Sequence, residues 1–315
     1  MIGRRPRYVR CIEVTLVAVA AVAGIGCGES ARSPARVPIV STTDVHHFVA
    51  AAKRITPGDT TCTSLDEYLR TGTRGLVAYR SKFDVGRSDL CAALRDAPER
   101  YARLDSLLPG LDSSADAIRV LFARYQKLSP GAVMPDVYFV VGNGIAGGTT
   151  THGSAPVILV GTELLHSTSG VPGTVAHELA HTQQHYPLWR SLTGGPHFFR
   201  ATLLRQSLVE GTADVVAQIL TGKPKRSSYG EMHEAQLWSQ FQRDMHKRDY
   251  AGWLYNGGDQ HSPDGRPVDL GYWIGYRIAK AYYDRSADKT RALREMLSIQ
   301  DFDAFLKASG YRGGA

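Results

Sequence analysis

The stretch GTVAHELAHTQQHYP, Gly173 to Pro187, places His177, Glu178, His181 and His185 within nine residues. Pro172 and Thr174 suit a helix start, Pro187 a stop, and Val175 and Leu179 an apolar flank, so the segment is predicted to be helical. A plain amphipathic helix has no packing reason to concentrate these groups. On a helix, residues four apart lie about 40° apart around the axis, with Cβ atoms roughly 6 Å apart. The imidazoles of His177 and His181 can therefore reach one ion through bonds of about 2.0–2.1 Å. Glu178 sits about 100° round from His177, beside that ion and a water on it, which is where a general base belongs.

A third ligand has three candidates. His185 continues the series by another four residues, but ligands eight apart on a straight helix span about 12 Å and cannot surround one ion. A histidine six residues after His181 would serve, but that position is Pro187. Glu210 remains, opening E-x-x-x-D in LVEGTADVVAQIL, 29 residues after His181. Glu210 and Asp214 share a helix face, and Gly211, Thr212 and Ala213 are small enough for two helices to approach closely. Two imidazoles, one carboxylate and a water make the ligand set of a catalytic zinc site. Asp214 then accepts the free ring N–H of a ligand histidine and fixes its orientation.

Outward from this helix, PDVYFVVG (Pro135 to Gly142) and APVILVG (Ala155 to Gly161) read as strands of a small central sheet. Between them lies a glycine-rich stretch, either a substrate-binding edge or flap, or a hairpin with a loose turn. From Asp44 to about Leu128 the apolar spacing is helical and predicts an N-terminal helical lobe. The expected fold is α+β and helix-rich, a single domain over residues 44–315.

The N-terminus has a different character. Arg4, Arg5, Arg7 and Arg10 precede an uncharged run from Val14 to Gly26, the layout of a signal peptide over residues 1–27. Cys27 follows Gly26 as in bacterial lipoprotein signals, and residues 28–43 read as a flexible tether. The rival cleavage, after Ala23, would leave Cys27 as an odd thiol. With Cys27 acylated, Cys62 and Cys91 remain and can bridge in an oxidising compartment, although two buried free thiols would leave the same sequence. These features predict an exported protein of the bacterial cell envelope, periplasmic or on the outer membrane, held to the membrane through Cys27.

The formal net charge is +7, and removing residues 1–27, with four Arg and one Glu, leaves 33 basic against 29 acidic residues. The basic residues are dispersed, the densest cluster being GKPKRSS at 222–228, which reads as solvated surface. No nucleic-acid partner is expected.

VAHELAHTQQ, LVEGTADVVAQ, GYWIGYRIAKAYYD and the ending DFDAFLKASGY together resemble the bacterial predicted zinc-dependent proteases of gluzincin type. That domain family of unknown function also includes gliding-motility lipoproteins. The resemblance runs from about Pro98 to Tyr311. It implies a zincin-like fold, His177, His181 and Glu210 as Zn²⁺ ligands, and Glu178 as base.

Hydrolysis also needs a donor to the oxyanion. Tyr272 is the first choice, with Tyr276 one turn later and Tyr255, His233 and His261 as further options. The expected activity is zinc-dependent hydrolysis of a peptide or protein substrate. The alternatives are a non-catalytic envelope lipoprotein that uses the domain for binding or assembly, and an amide hydrolase acting on a non-protein substrate.

Overall fold

The computed structural model describes residues 36–153, 155–186, 201–250, 252–255 and 265–314. The expected signal segment, Cys27, most of the tether and His261 lie outside the described residues. Among those described, no helix is long and apolar enough to cross a membrane. Pro38 to Ala315 form one compact unit.

The unit opens with strand β1 (Val40–Ser41) and seven helices: α1 (Thr43–Ala52), α2 (Leu65–Arg70), α3 (Arg74–Phe83), α4 (Arg87–Asp96), α5 (Pro98–Ala102), α6 (Leu104–Asp112) and α7 (Ser114–Leu128). This is the helical lobe that the apolar spacing predicts. Strands β2 (Asp136–Val140), β3 (Gly148–Thr150) and β4 (Val157–Gly161) follow, then α8 (Val171–Gln183) and α9 (Leu203–Thr221). The chain closes with α10 (Ser228–Met232), α11 (Glu234–Asp244), α12 (Leu270–Arg285), α13 (Lys289–Met296) and α14 (Phe302–Ser309). The architecture is α+β and helix-rich, with one small mixed sheet.

The sheet order is β1-β2-β4-β3. β1, β2 and β4 run parallel, and β3 lies antiparallel to β4 at the edge. Every residue of β2 and β4 is buried, because α1 and α3 pack on β2 while α8 packs on β3 and β4. Burial on both faces explains why these strands read as continuous apolar runs without alternation.

The fold starts earlier than the expected boundary at Asp44. Asp136 accepts the Ile39 backbone N–H at 2.8 Å, and Val137 N–H donates to the Ile39 carbonyl at 2.8 Å. These bonds draw Val40 and Ser41 out of the expected tether and into the sheet. Cys62 and Cys91 are joined in a disulfide, linking the segment before α2 to α4. Closing a loop of 29 residues contributes roughly 3–4 kcal/mol through the unfolded chain.

Helix α9 is the central support of the site. Thr202 caps its start by accepting the Arg205 N–H, and Gly222 ends it in the left-handed region at φ 74°. It packs against both α8 and α12. A Cβ on Gly275 would lie 1.7 Å from the Ser207 carbonyl oxygen, and one on Gly211 would lie 2.0 Å from the Gly275 carbonyl carbon. Gly211 thus serves the α9–α12 crossing. The contact with α8 uses Thr212, which is bonded to Gln184 and Tyr186.

Candidate metal centre

Helix α8 starts at Val171 with Pro172 in its first turn, where a missing N–H costs nothing. Its buried face carries Val175, Leu179, Glu178 and His181. One turn apart on this helix, the rings of His177 and His181 meet edge to face, with centroids 4.7 Å apart. Their Nε2 atoms are 3.0 Å apart, and each is 3.2 Å from Oε2 of Glu210 on α9. Three donor atoms from two helices therefore form a nearly equilateral triangle. Ligands on a tetrahedral ion with bonds of about 2.0–2.1 Å lie about 3.3 Å from one another, so this set fits zinc.

The other ring nitrogens are already committed, which fixes both Nε2 atoms toward the shared point. His177 Nδ1 is 2.9 Å from Asp214 Oδ1. Because Glu210 and Asp214 lie four apart on α9, one helix face engages both nitrogens of one imidazole. Asp214 is itself paired through Oδ2 with Lys225 Nζ at 2.7 Å. Lys225 belongs to the basic cluster expected to be solvated surface; the structure turns it inward, where it supplies a counter-charge to the largely buried Asp214 carboxylate. His181 Nδ1 donates to Gln184 Oε1 at 2.8 Å. Gln184 Nε2 in turn donates to the Val209 carbonyl at 2.7 Å and to Thr212 Oγ1 at 3.0 Å.

Glu210 Oε1 accepts from the Tyr255 hydroxyl at 3.0 Å, and Gln206 Nε2 donates to that hydroxyl at 3.1 Å. Tyr255 has φ 62°, a left-handed backbone unusual for a side chain of its size. Such strain is found where a site dictates the geometry.

Burial and charge act against each other in the cluster. Burial disfavours the charge on His177, but Asp214 and Glu210 outweigh it and raise its pKa to about 10. Burial also opposes charge on His181, whose pKa is nevertheless raised by Glu210. Despite burial, Glu210 is held below the usual carboxylate range by the two histidines, and Asp214 by His177 and Lys225. A cluster that stabilises positive charge this strongly is suited to a cation. Burial pushes Glu178 the other way, up from the ordinary carboxylate value, with the histidines opposing. Its carboxylate takes no hydrogen bond from a described residue, and Oε1 would lie 2.7 Å from a Cβ on Gly148 of β3. The base candidate thus rests directly against the edge strand.

His177, Glu178, His181, Glu210, Tyr255 and Tyr272 line one cleft of about 720 Å³. The Tyr272 ring meets that of Tyr255 edge to face, with centroids 6.0 Å apart, and Lys225 Nζ lies 5.2 Å from the Tyr272 ring centre. Burial, then the Glu210 charge, raises the pKa of both phenols, so both stay protonated donors. The Tyr255 hydroxyl is taken by Glu210, whereas the Tyr272 hydroxyl bonds no described residue. Tyr276 is outside the cleft, donating to Gln218 Oε1 at 2.7 Å. His233 is stacked on Tyr229 at 4.1 Å, also away from the cleft. His185 lies beyond the end of α8, exposed, with its N–H on the Leu297 carbonyl.

Gln184, Lys82 and His152 were not foreseen as site residues. His152 lines the cleft, and burial, with the Lys82 and His181 charges, lowers its pKa to about 4. The hairpin that carries His152 is one of the two readings the sequence offers, but the packing of that hairpin on α8, which brings His152 to the cleft, is a tertiary contact with no local signal. Gln184 carries a local signal, three residues after His181 at the end of its helix, but glutamines are common there.

Two histidines four apart on one helix with a glutamate from a second define the H-E-x-x-H class of metal site. The sequence profile of the family described as Predicted Zn-dependent protease (DUF2268) matches residues 137–300, just over half of the chain, and the chain belongs to that family. No curated protein and no solved structure matches the chain.

Proposed function

We propose that the protein is a zinc metallopeptidase of gluzincin type, with His177, His181 and Glu210 as ligands and Glu178 as general base. The observation that carries this reading is the ligand triangle, oriented on one side by Asp214 and on the other by Gln184, with the Glu178 carboxylate, which takes no hydrogen bond from a described residue, beside it. A zinc ion held there supplies Lewis acidity to the scissile carbonyl and lowers the pKa of a water. Glu178 takes the proton of the attacking water and returns it to the leaving amine. Tyr272, whose hydroxyl bonds no described residue, donates to the carbonyl oxygen as negative charge develops. Asp214 and Gln184 hold the imidazoles, and Tyr255 holds the ligand carboxylate.

The substrate extends the sheet. Gly161 N–H donates to the Gly147 carbonyl and Thr151 N–H to the Val157 carbonyl, so the odd-numbered residues of this strand face β4. By alternation, the N–H and C=O of Gly148 face the free edge, where a peptide can pair with them. Glu178 lies against that residue, which brings a paired peptide over the base.

Export and lipid attachment at Cys27 complete the proposal, supported by the N-terminal sequence and by the Cys62–Cys91 disulfide, a bond of oxidising compartments. The test is zinc analysis of the full-length chain together with digestion of an unbiased peptide library. One zinc per chain and defined cleavages are expected; one zinc with no cleavage of any amide would assign the domain to binding or assembly.

A further inference from the structure

The cleft is lined by two cations, Lys82 and Arg100, as well as by the acids of the site. Lys82, in the last turn of α3, extends over the edge strand and donates to Thr149 Oγ1 at 2.5 Å and to the Thr150 carbonyl at 2.9 Å. Arg100 lines the same cleft, its guanidinium lying over Gly144, where a Cβ would come within 2.3 Å of Nη1. Neither cation has an ion-pair partner among the described residues. The nearby acids serve other purposes: Glu178 and Glu210 belong to the site, and Glu163, whose carboxylate accepts the Gly144 N–H at 3.0 Å, is fully buried behind the loop.

The position of Lys82 along the edge matters as much as its charge. Gly148 and Thr150 turn their backbone groups to the free edge, and Lys82 already occupies the Thr150 carbonyl. A peptide pairing with Gly148 therefore meets an ammonium group in place of a free acceptor one pleat further on. The bond to the Thr150 carbonyl engages only a dipole, whereas a carboxylate offers the ammonium a full opposite charge, an attraction that grows as water is excluded. Incoming carboxylate would draw Lys82 from Thr150 and pair with it in a partly desolvated cleft.

Resting on the peptidase reading, we propose that Lys82 is a specificity-determining residue that selects substrates with a carboxylate close to the scissile bond, with Arg100 adding to the attractive potential of the cleft. The carboxylate comes from an Asp or Glu side chain or from the substrate's own C-terminus. The second source would make the enzyme act near chain ends, because Lys82 would hold the terminal carboxylate about one pleat beyond Gly148.

The test uses the full-length, zinc-loaded chain and fluorescein-labelled peptides. Asp or Glu is scanned against Asn or Gln along the sequence, and each peptide is made both as free acid and as C-terminal amide. Binding is read by anisotropy in the Glu178→Gln background, which reports on recognition whether or not bonds are cut; cleavage is read in the wild type. Carboxylate-bearing peptides should bind roughly tenfold or more tighter than their neutral counterparts, an advantage that shrinks with added salt. Lys82→Met should abolish the difference, and Lys82→Glu should reverse it toward Lys- and Arg-bearing peptides. A difference confined to free-acid against amide peptides assigns the C-terminus; one that follows Asp and Glu assigns the side chain. If Lys82→Met leaves the ratio unchanged, or improves every peptide equally, Lys82 merely caps the edge strand and the proposal is wrong. Carboxylate-selective binding without cleavage by the wild type would overturn the peptidase reading and leave this one standing.

Discussion

His181 Nδ1 donates to Gln184 Oε1 across 2.8 Å, while His177 Nδ1 meets Asp214 Oδ1 at 2.9 Å. The two imidazoles are thus oriented by partners of different charge, a buried neutral amide and a partly buried carboxylate. Each partner leaves Nε2 directed at the same point.

Loss of either partner should weaken metal binding without abolishing it. Outer partners of ligand histidines typically contribute about 10- to 100-fold in affinity or activity. Gln184→Leu and Asp214→Asn should therefore each lower zinc affinity within that range in a competition titration against a chelating dye. An unchanged affinity for Gln184→Leu would mean that the helix alone orients His181.

The choice of third ligand is tested by contrast. Glu210→Ala leaves two imidazoles on the ion and should reduce zinc affinity far more than the outer-partner variants do. His185→Ala should leave it nearly unchanged, since His185 is exposed beyond the end of α8. Equal losses from both would show that the ligand assignment is mistaken.

The two cleft tyrosines should separate by the quantity they change. Tyr255 donates to Glu210, so Tyr255→Phe should loosen metal binding. The Tyr272 hydroxyl bonds no described residue, so Tyr272→Phe should retain the metal and lose about 10²–10³ in kcat, as expected for removal of one oxyanion donor. Steady-state kinetics with metal analysis distinguish the two; an unchanged kcat for Tyr272→Phe removes it from the chemistry.

The α9–α12 crossing positions Glu210 and should tolerate no added atom. Gly275→Ala forces a Cβ to 1.7 Å from the Ser207 carbonyl, a backbone atom that cannot rotate away. Overpacking of this kind costs about 1–3 kcal/mol or more. By comparison, Gly173 in α8 has nothing within 4 Å of a Cβ, and Gly173→Ala should be neutral or stabilising by up to about 1 kcal/mol. Thermal unfolding of both variants checks the pair, and equal melting temperatures would contradict the described crossing.

Much of this site was legible in the sequence, because helical spacing is a local property. His177, Glu178 and His181 follow from position alone, and Glu210 with Asp214 from a second helix of matching spacing. β2 and β4 were equally plain as apolar runs bounded by Pro and Gly. β1 was hidden inside a Ser- and Pro-rich stretch, since its strand character comes from Asp136 and Val137 holding Ile39. Lys225 was concealed for the opposite reason: as one of several basic residues it reads as surface, and only the largely buried Asp214 gives it a role. Lys82 has no local signal at all, because the edge strand it covers lies in a different part of the chain.

In the proposed mechanism Glu178 acts as a base beside the metal and not as a ligand to it. Its carboxylate lies outside the triangle of donor atoms and against Gly148. Glu178→Gln should keep one zinc per chain, the fold and substrate binding, while hydrolysis falls by at least about 10³, mainly in kcat with KM little changed. Zinc stoichiometry and peptidase kinetics, measured side by side on wild type and variant, decide the matter. Retained zinc with that loss of kcat is the predicted result; cleavage at the wild-type rate, or loss of the zinc, would contradict it.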